Sequence, residues 1–140
     1  MNDIQLNGLE NYVTYTSYMP HVEVLQHQST SQLLLLAVND VPSAKGIITG
    51  KIFEYLATGK PILALVPPDG VAAELINRSG TGFVVPIENI DTIKNKILQL
   101  YNEWERGTLN IQPDQKIIDT YSRKSLTGEL SKIFNNLTGE

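Results

Sequence analysis

The sequence predicts an α/β protein, an open three-layer Rossmann-like sheet of about four parallel strands followed by C-terminal helices. Two short aliphatic runs, Leu33–Val38 and Ile62–Val66, are continuous rather than alternating, which is typical of strands buried on both faces of a parallel sheet. Helical patterns separate the apolar runs, and this alternation favours parallel strands joined by right-handed crossovers. Ligands of such sheets bind beyond the C-terminal ends of the strands.

Composition limits the class of protein. The chain has 140 residues, of which 41% are hydrophobic, so one domain with its own core is expected. We interpret residues 1–10 as a linker or lead-in and residues 11–140 as the domain. A net charge of −4 argues against a nucleic-acid-binding surface, and the absence of cysteine excludes disulfides and thiolate metal sites. No apolar run approaches the roughly 20 residues of a membrane span and no signal peptide is visible, so a cytoplasmic protein is expected.

The N-terminal third carries three predicted elements. Asn11–Tyr18 alternates β-forming residues with threonine and serine, which predicts a strand. Pro20 is at a favoured first-turn position for a helix, whose inward residues would include Val22 and Leu25. Leu33–Val38 then follows as a central strand.

The stretch that organises the chain is Gly46–Val66, which reads GIITGKIFEYLATGKPILALV. Thr49 or Gly50 can cap the start of a helix, and Gly59 stands where a left-handed residue ends one. Pro61 opens the second buried strand. The inward stripe of the helix consists of Ile52, Phe53, Leu56 and Ala57.

The C-terminal half predicts one further strand and four helices. The strand is Phe83–Val85, closed by Pro86. Asn89 is a plausible cap for a long helix, and Ser122 for the last one. The helices are predicted over 71–77, over 90–104, from Pro113, and from Ser122 with the apolar stripe Leu126, Leu130, Ile133, Phe134 and Leu137.

Three loops are expected to meet at the C-terminal edge of the sheet. They are Asn39–Thr49, Pro67–Gly70 and, if its strand lies close enough, Tyr18–His21. The first is longer than the usual two to six residues of such a connection, and long loops are often functional. Lys45 would reach in from this loop.

The helix that begins near Thr49 offers a candidate anion site. Its first amides and its dipole favour negative charge, and Lys51 adds a positive charge beside them. Glu54 lies one turn further on and can accept two hydrogen bonds, as a ribose diol requires. Gly50 permits a ligand to approach the backbone, as does Gly46 in the preceding loop. These features predict a site for a diphosphate and its ribose.

Other chemistries have little support. A lysine and a glutamate on a surface helix are most often solvated charges, so the anion site needs further evidence. No GxGxxG follows a strand and no Walker-type lysine–serine pair is present. His21 and His27 lack a convincing third ligand, so no metal site is predicted. No nucleophile elbow accompanies them, so no catalytic triad is predicted either.

The same residues carry a resemblance to a known family. KIFEYLATGKPILAL, the Pro67–Gly70 turn, Glu74–Ile76 and GTGFVV (80–85) together resemble the donor-binding lobe of GT-B glycosyltransferases. The similarity is to the retaining enzymes of family 4 (group 1) and spans about residues 12–104. The chain would then be a partial GT-B C-terminal domain.

The resemblance implies roles for individual residues. Glu54 matches the second acid of the family's E-x7-E motif, which binds the donor ribose. The backbone of Ile48, Thr49 and Gly50 matches the turn that approaches the sugar and diphosphate. Lys51 would contact phosphate and stabilise the leaving group, with no certain catalytic residue in the protein. No metal or other cofactor is expected, since the nucleoside-diphosphate sugar is the substrate.

Two departures from the family pattern accompany this resemblance. The first acid of the motif falls at Gly46, which has no side chain. The family's N-terminal acceptor lobe and the first two strands of its C-terminal lobe are not in this sequence. In the strand order 3-2-1-4-5-6, their loss leaves the edge of Leu33–Val38 open. We therefore expect either that Asn11–Tyr18 pairs there or that two chains share strands in a homodimer.

The function implied is transfer of a sugar from a nucleoside-diphosphate donor to a glycan or lipid-linked acceptor, as in polysaccharide biosynthesis. This portion alone is expected to be inactive, and the whole enzyme would lie in the cytoplasm or peripherally at the inner membrane. Two alternatives stay open. One is a non-catalytic binding or assembly module that keeps the fold, and the other is a sugar-nucleotide epimerase of GT-B type.

Overall fold

The computed structural model describes residues 2–39 and 41–139. Three residues lie outside the described ones: Met1, Asp40 and Glu140. Asp40 belongs to the predicted loop Asn39–Thr49. Within them the chain forms a parallel sheet of three strands in the order β1-β2-β3, flanked by helices. This is an α/β architecture compatible with a Rossmann-like fold.

The strands are four residues each and lie in register. They are β1 (Leu34–Ala37), β2 (Ile62–Leu65) and β3 (Gly82–Val85). Leu34 is level with Ile62, and Ile62 with Gly82. The helices are α1 (Asn2–Leu6), α2 (His21–Thr30), α3 (Gly50–Thr58), α4 (Val71–Ser79), α5 (Ile90–Glu105), α6 (Gln115–Thr120) and α7 (Arg123–Thr138).

The core has two parts, one on each face of the sheet. On one face, α3 and α4 cover the strands through a cluster that includes Ile52, Leu56 and Ile76. On the other face, α5 packs Leu100 against Leu63 and Val85. The central strand β2 is buried on both faces as predicted, because helices cover both and strands pair with both edges.

The residues predicted to begin and end helices are largely confirmed. Gly59 adopts a left-handed conformation at the end of α3, with φ of 65°. The Asn89 side chain accepts a hydrogen bond from the Thr92 amide at 2.9 Å. The Ser122 hydroxyl likewise accepts from the Ser125 amide at 3.1 Å. Each device satisfies a backbone group that the end of a helix would leave unpaired.

The strand predicted over Asn11–Tyr18 is wrong. The segment has no strand conformation, and Tyr12, Tyr15 and Tyr18 are 84%, 72% and 95% exposed. Its β propensity does not produce a strand because no strand within the described residues supplies it with hydrogen bonds or a packing face. In residues 2–39 and 41–139 the sheet therefore has three strands rather than about four. The segment does not pair with β1, so the first of the two alternatives expected there, pairing within the chain, is wrong.

The predicted inward faces of several helices are exposed in this chain. Val22 and Leu25 of α2 are 75% and 37% exposed, and the buried residue of that helix is Gln28. On α7 the whole predicted stripe is at least about half exposed. A helix can be amphipathic in sequence and still lack a partner for its apolar side. Residues 2–6, predicted as part of a linker or lead-in, form the short helix α1.

Candidate functional site

The site is built around the start of α3. Thr49 is the N-cap residue in extended conformation, but its side chain makes no capping hydrogen bond. Its Oγ1 is buried and has no partner among the described residues. The amides of the first helical turn are therefore not capped by a side chain, which leaves the positive end of the helix dipole open to a ligand.

Glu54 lies one turn along α3 and faces α2. One carboxylate oxygen, Oε2, accepts a hydrogen bond from Gln28 Nε2 at 3.2 Å. The other, Oε1, lies 3.8 Å from His21 Nε2 at the start of α2. The Glu54 side chain is 34% exposed, so it lies at the protein surface and outside the apolar core.

Glu54 and Lys51 line the same hollow, which we call the α2–α3 groove. Its volume is about 480 Å³, and its polar lining includes His21, His27, Gln28, Lys51, Glu54 and Tyr55. Glu54 also borders a larger hollow of about 810 Å³ together with Gly50, His21 and Arg123. The carboxylate can thus be reached from both sides of the α2–α3 contact.

Two of the predicted loops, Asn39–Thr49 and Pro67–Gly70, lie in contact. Lys45 Nζ lies 2.6 Å from Asp69 Oδ2, which ties residues 41–46 to the turn after β2. The hydrogen bond from Lys45 holds the pKa of Asp69 below its usual value. A Cβ atom on Gly70 would lie 3.1 Å from the Lys45 carbonyl oxygen, so the two loops touch through their backbones. Lys45 therefore pairs with Asp69, whereas its place in the loop predicted that it reaches the ligand site.

Tyr55 connects the site to the sheet. Its hydroxyl donates a hydrogen bond to the carbonyl oxygen of Leu35 on β1 at 3.4 Å. Burial raises the pKa of Tyr55, and the neighbouring charge of Glu54 raises it further. The carbonyl of Leu35 faces away from β2, because Leu34 and Val38 donate their amides to that strand. Tyr55 is thus bonded to the edge of β1 that pairs with no strand among the described residues.

The predicted site residues lie either in α3 or in the turn before it. In α3, Lys51 and Glu54 share the α2–α3 groove, and Gly50 borders the adjoining hollow. In the turn before α3, Ile48 is 41% exposed and Thr49 is half-buried.

Among residues 2–39 and 41–139, no group of three or more acidic or histidine side chains could hold a metal ion. No helix in the same ranges is both long and apolar enough to cross a bilayer.

Gln28 is not among the site residues that the sequence predicts. The apolar pattern of α2 predicts that its aliphatic residues face inward, whereas the residue buried against α3 is polar. The signal available was spacing, because His21 and Gln28 are seven residues apart and so lie two turns apart on one face of a helix. A histidine and a glutamine on one face could have suggested an acidic partner.

Comparison with known proteins gives no assignment. The chain shows no significant match to a protein-family model, to a curated protein sequence or to a solved structure.

Proposed function

We propose that this chain is the donor-binding part of a retaining glycosyltransferase with GT-B architecture, which takes its sugar from a nucleoside diphosphate. The observation that supports this best is that Lys51 and Glu54, both from the KIFEYLATGKPILAL motif, line one open groove near the start of α3. A cation and a carboxylate side by side match the two polar parts of a nucleoside diphosphate, its phosphates and its ribose.

Each group would have a defined task. The uncapped amides at the start of α3 and the Lys51 ammonium would hold the diphosphate and stabilise the charge it gains as the glycosidic bond breaks. The Glu54 carboxylate would accept hydrogen bonds from the ribose hydroxyls. A Cβ atom on Gly50 would meet nothing within 4 Å, so the backbone there is open to close approach by a ligand. No protein nucleophile is part of the proposal.

The sugar would be held less tightly than the nucleotide. Gly46 occupies the position of the first acid of the family motif and ends a short 3₁₀ turn at Ala44–Gly46. It offers no carboxylate to the sugar hydroxyls. Discrimination among sugars would therefore depend on backbone groups near Ile48 and Thr49 or on other parts of the enzyme.

The acceptor lobe of such an enzyme would pack against apolar surface that this chain leaves exposed. Along α7, Leu126, Leu130 and Phe134 are 48%, 50% and 56% exposed. Leu35 on β1 is level with Leu63, on the face of the sheet that α5 packs against, and it is 56% exposed. Surfaces of this kind mark interaction sites in soluble proteins.

A binding experiment tests the proposal. Calorimetric titration of the chain with UDP- and GDP-sugars is expected to show binding of one nucleotide class. Glu54→Ala should weaken it at least tenfold, because hydrogen bonds to a charged group are each worth about 1.5–3 kcal/mol. Glu129→Ala, which removes an exposed acid from α7, is the matched control and should leave affinity unchanged. Equal effects of the two substitutions would contradict the proposal.

A second candidate is a non-catalytic assembly module that retains this fold. The exposed apolar surfaces and the glycine at position 46 favour it. An apolar hollow of about 380 Å³, lined by Leu33, Ile97, Tyr101 and Trp104 among others, adds to that surface on the other face of the sheet. If a longer natural protein containing this chain binds no nucleotide sugar yet still captures a protein partner, this second function is supported instead.

A further inference from the structure

The contact between α2 and α3 depends on a polar residue. Gln28 is the buried residue of α2, with 9% of its surface exposed, while Val22 on the same helix is 75% exposed. The Gln28 amide donates to Glu54 Oε2 at 3.2 Å. An apolar side chain is the usual choice for a helix–helix contact, so the presence of an amide calls for a reason.

Packing alone does not supply that reason. The Oε1 atom of Gln28 is buried and has no hydrogen-bond partner in the described part of the chain. A methionine of similar length would fill the same space without burying an unpaired acceptor. What a methionine could not do is donate a hydrogen bond to Glu54. The useful part of Gln28 is therefore its N–H group.

That bond fixes the carboxylate before any ligand arrives. A glutamate side chain has several rotatable bonds. A ligand that binds it must fix them, and the lost side-chain entropy lowers the affinity of the ligand. With Oε2 held by Gln28, the Glu54 carboxylate has a fixed direction. The other oxygen, Oε1, faces His21 and lies 3.8 Å from its Nε2 atom. The Glu54 side chain is 34% exposed, so a ligand can reach it. A carboxylate oxygen has two lone pairs, so Oε2 can still accept a second hydrogen bond.

We propose that Gln28 is a positioning residue that holds the Glu54 carboxylate ready for the vicinal hydroxyls of a ribose. This inference rests on the proposed function, because it assumes that Glu54 binds the sugar part of a nucleotide. It adds a residue outside the motif and predicts which chemical group of the ligand should respond to it.

The experiment compares two ligands and three proteins. UDP and GDP are titrated into the wild-type chain, and the nucleotide that binds is paired with its 2′,3′-dideoxy analogue. Gln28→Met should weaken the ribonucleotide about three- to tenfold, the cost of ordering one side chain. It should leave the dideoxy analogue unchanged and leave the melting temperature the same or higher. Gln26→Met, the same change at an exposed position of α2, should alter neither ligand.

The outcomes separate the two proposals. If the wild type binds neither nucleotide, the proposed function is wrong and this inference fails with it. If the wild type binds but Gln28→Met weakens both ligands equally, or neither, the proposed function stands and the positioning role is overturned. Should Gln28→Met fail to fold, Gln28→Leu replaces it with the same expected pattern.

Discussion

Gly82 lies beside Ile62 at the start of the β2–β3 pair, so close that a side chain on Gly82 would overlap the Ile62 carbonyl oxygen. Only a residue without a Cβ atom lets the two strands approach to hydrogen-bonding distance here. Gly82→Ala should lower the free energy of unfolding by about 3 kcal/mol, because the overlap is with backbone that no rotamer change can move. Urea denaturation measures this.

The matched control for that prediction is Gly46→Ala. A Cβ atom on Gly46 would meet nothing within 4 Å, and its φ is not positive. The free energy of unfolding should therefore change by no more than about 0.5 kcal/mol. Similar losses at both positions would mean that backbone freedom, and not the contact with Ile62, is what Gly82 supplies.

The glycine at position 46 also allows a test by gain of function. Gly46→Glu places a carboxylate where the E-x7-E motif has its first acid, in space that is open. If the proposed function holds, this variant should bind a nucleotide sugar about three- to tenfold more tightly relative to the free nucleoside diphosphate, through one added hydrogen bond. Gly46→Gln separates the charge from the added length. An unchanged ratio in Gly46→Glu would count against the assignment of this position.

Tyr55 predicts a dependence of stability on pH. Burial, and then the charge of Glu54, raise the pKa of Tyr55 above the usual value of about 10 for a tyrosine. The folded protein then holds the phenol proton more tightly than the unfolded chain does. The contribution to stability is complete below about pH 10 and is lost as pH rises through the raised pKa.

Tyr55→Phe removes this titration. The difference in unfolding free energy between wild type and variant should be constant up to about pH 9 and should shift in favour of the variant above pH 10. Chemical denaturation at a series of pH values measures it. A difference that stays flat through pH 11 would show that Tyr55 ionises equally in both states.

The cap of α5 is open to a direct test. Asn89→Ala removes the acceptor for the Thr92 amide and should cost about 1 kcal/mol of unfolding free energy. Asn95→Ala makes the same change at an exposed position inside α5, where alanine is the better helix former, and should be neutral or slightly stabilising. A loss at both positions would mean that asparagine contributes in some way other than capping.

The elements that could be predicted from sequence are those whose signals are local. Gly59, Asn89 and Ser122 act within a few residues of themselves, and each does what its residue type predicts. The aliphatic run of β2 is equally local, since its composition alone indicates a strand buried on both faces. The run of β1 forms a strand, but the prediction that it is central and buried on both faces is wrong, because β1 lies at an edge and Leu35 is 56% exposed. Lys51 and Glu54 are three residues apart on one helix, and this spacing predicts that their side chains lie on the same side of it.

The predictions that are wrong depended on a neighbour. Asn11–Tyr18 has strand composition but no strand beside it, and Val22 has an apolar side chain but no surface to cover. Lys45 pairs with Asp69, a partner 24 residues away that no local pattern reveals. The bond between Gln28 and Glu54 spans 26 residues and joins two polar side chains, so hydrophobic periodicity could not find it.

The outer edge of β1 pairs with no strand among the described residues. Alternate peptide groups there face outward, the hydroxyl of Tyr55 already bonds one carbonyl, and Leu35 adds an apolar surface beside them. A strand arriving from elsewhere could extend the sheet without rearranging β2 or β3, displacing at most one weak hydrogen bond. An unpaired strand edge is a general template for self-association, because an edge that accepts a native strand can also accept a non-native one.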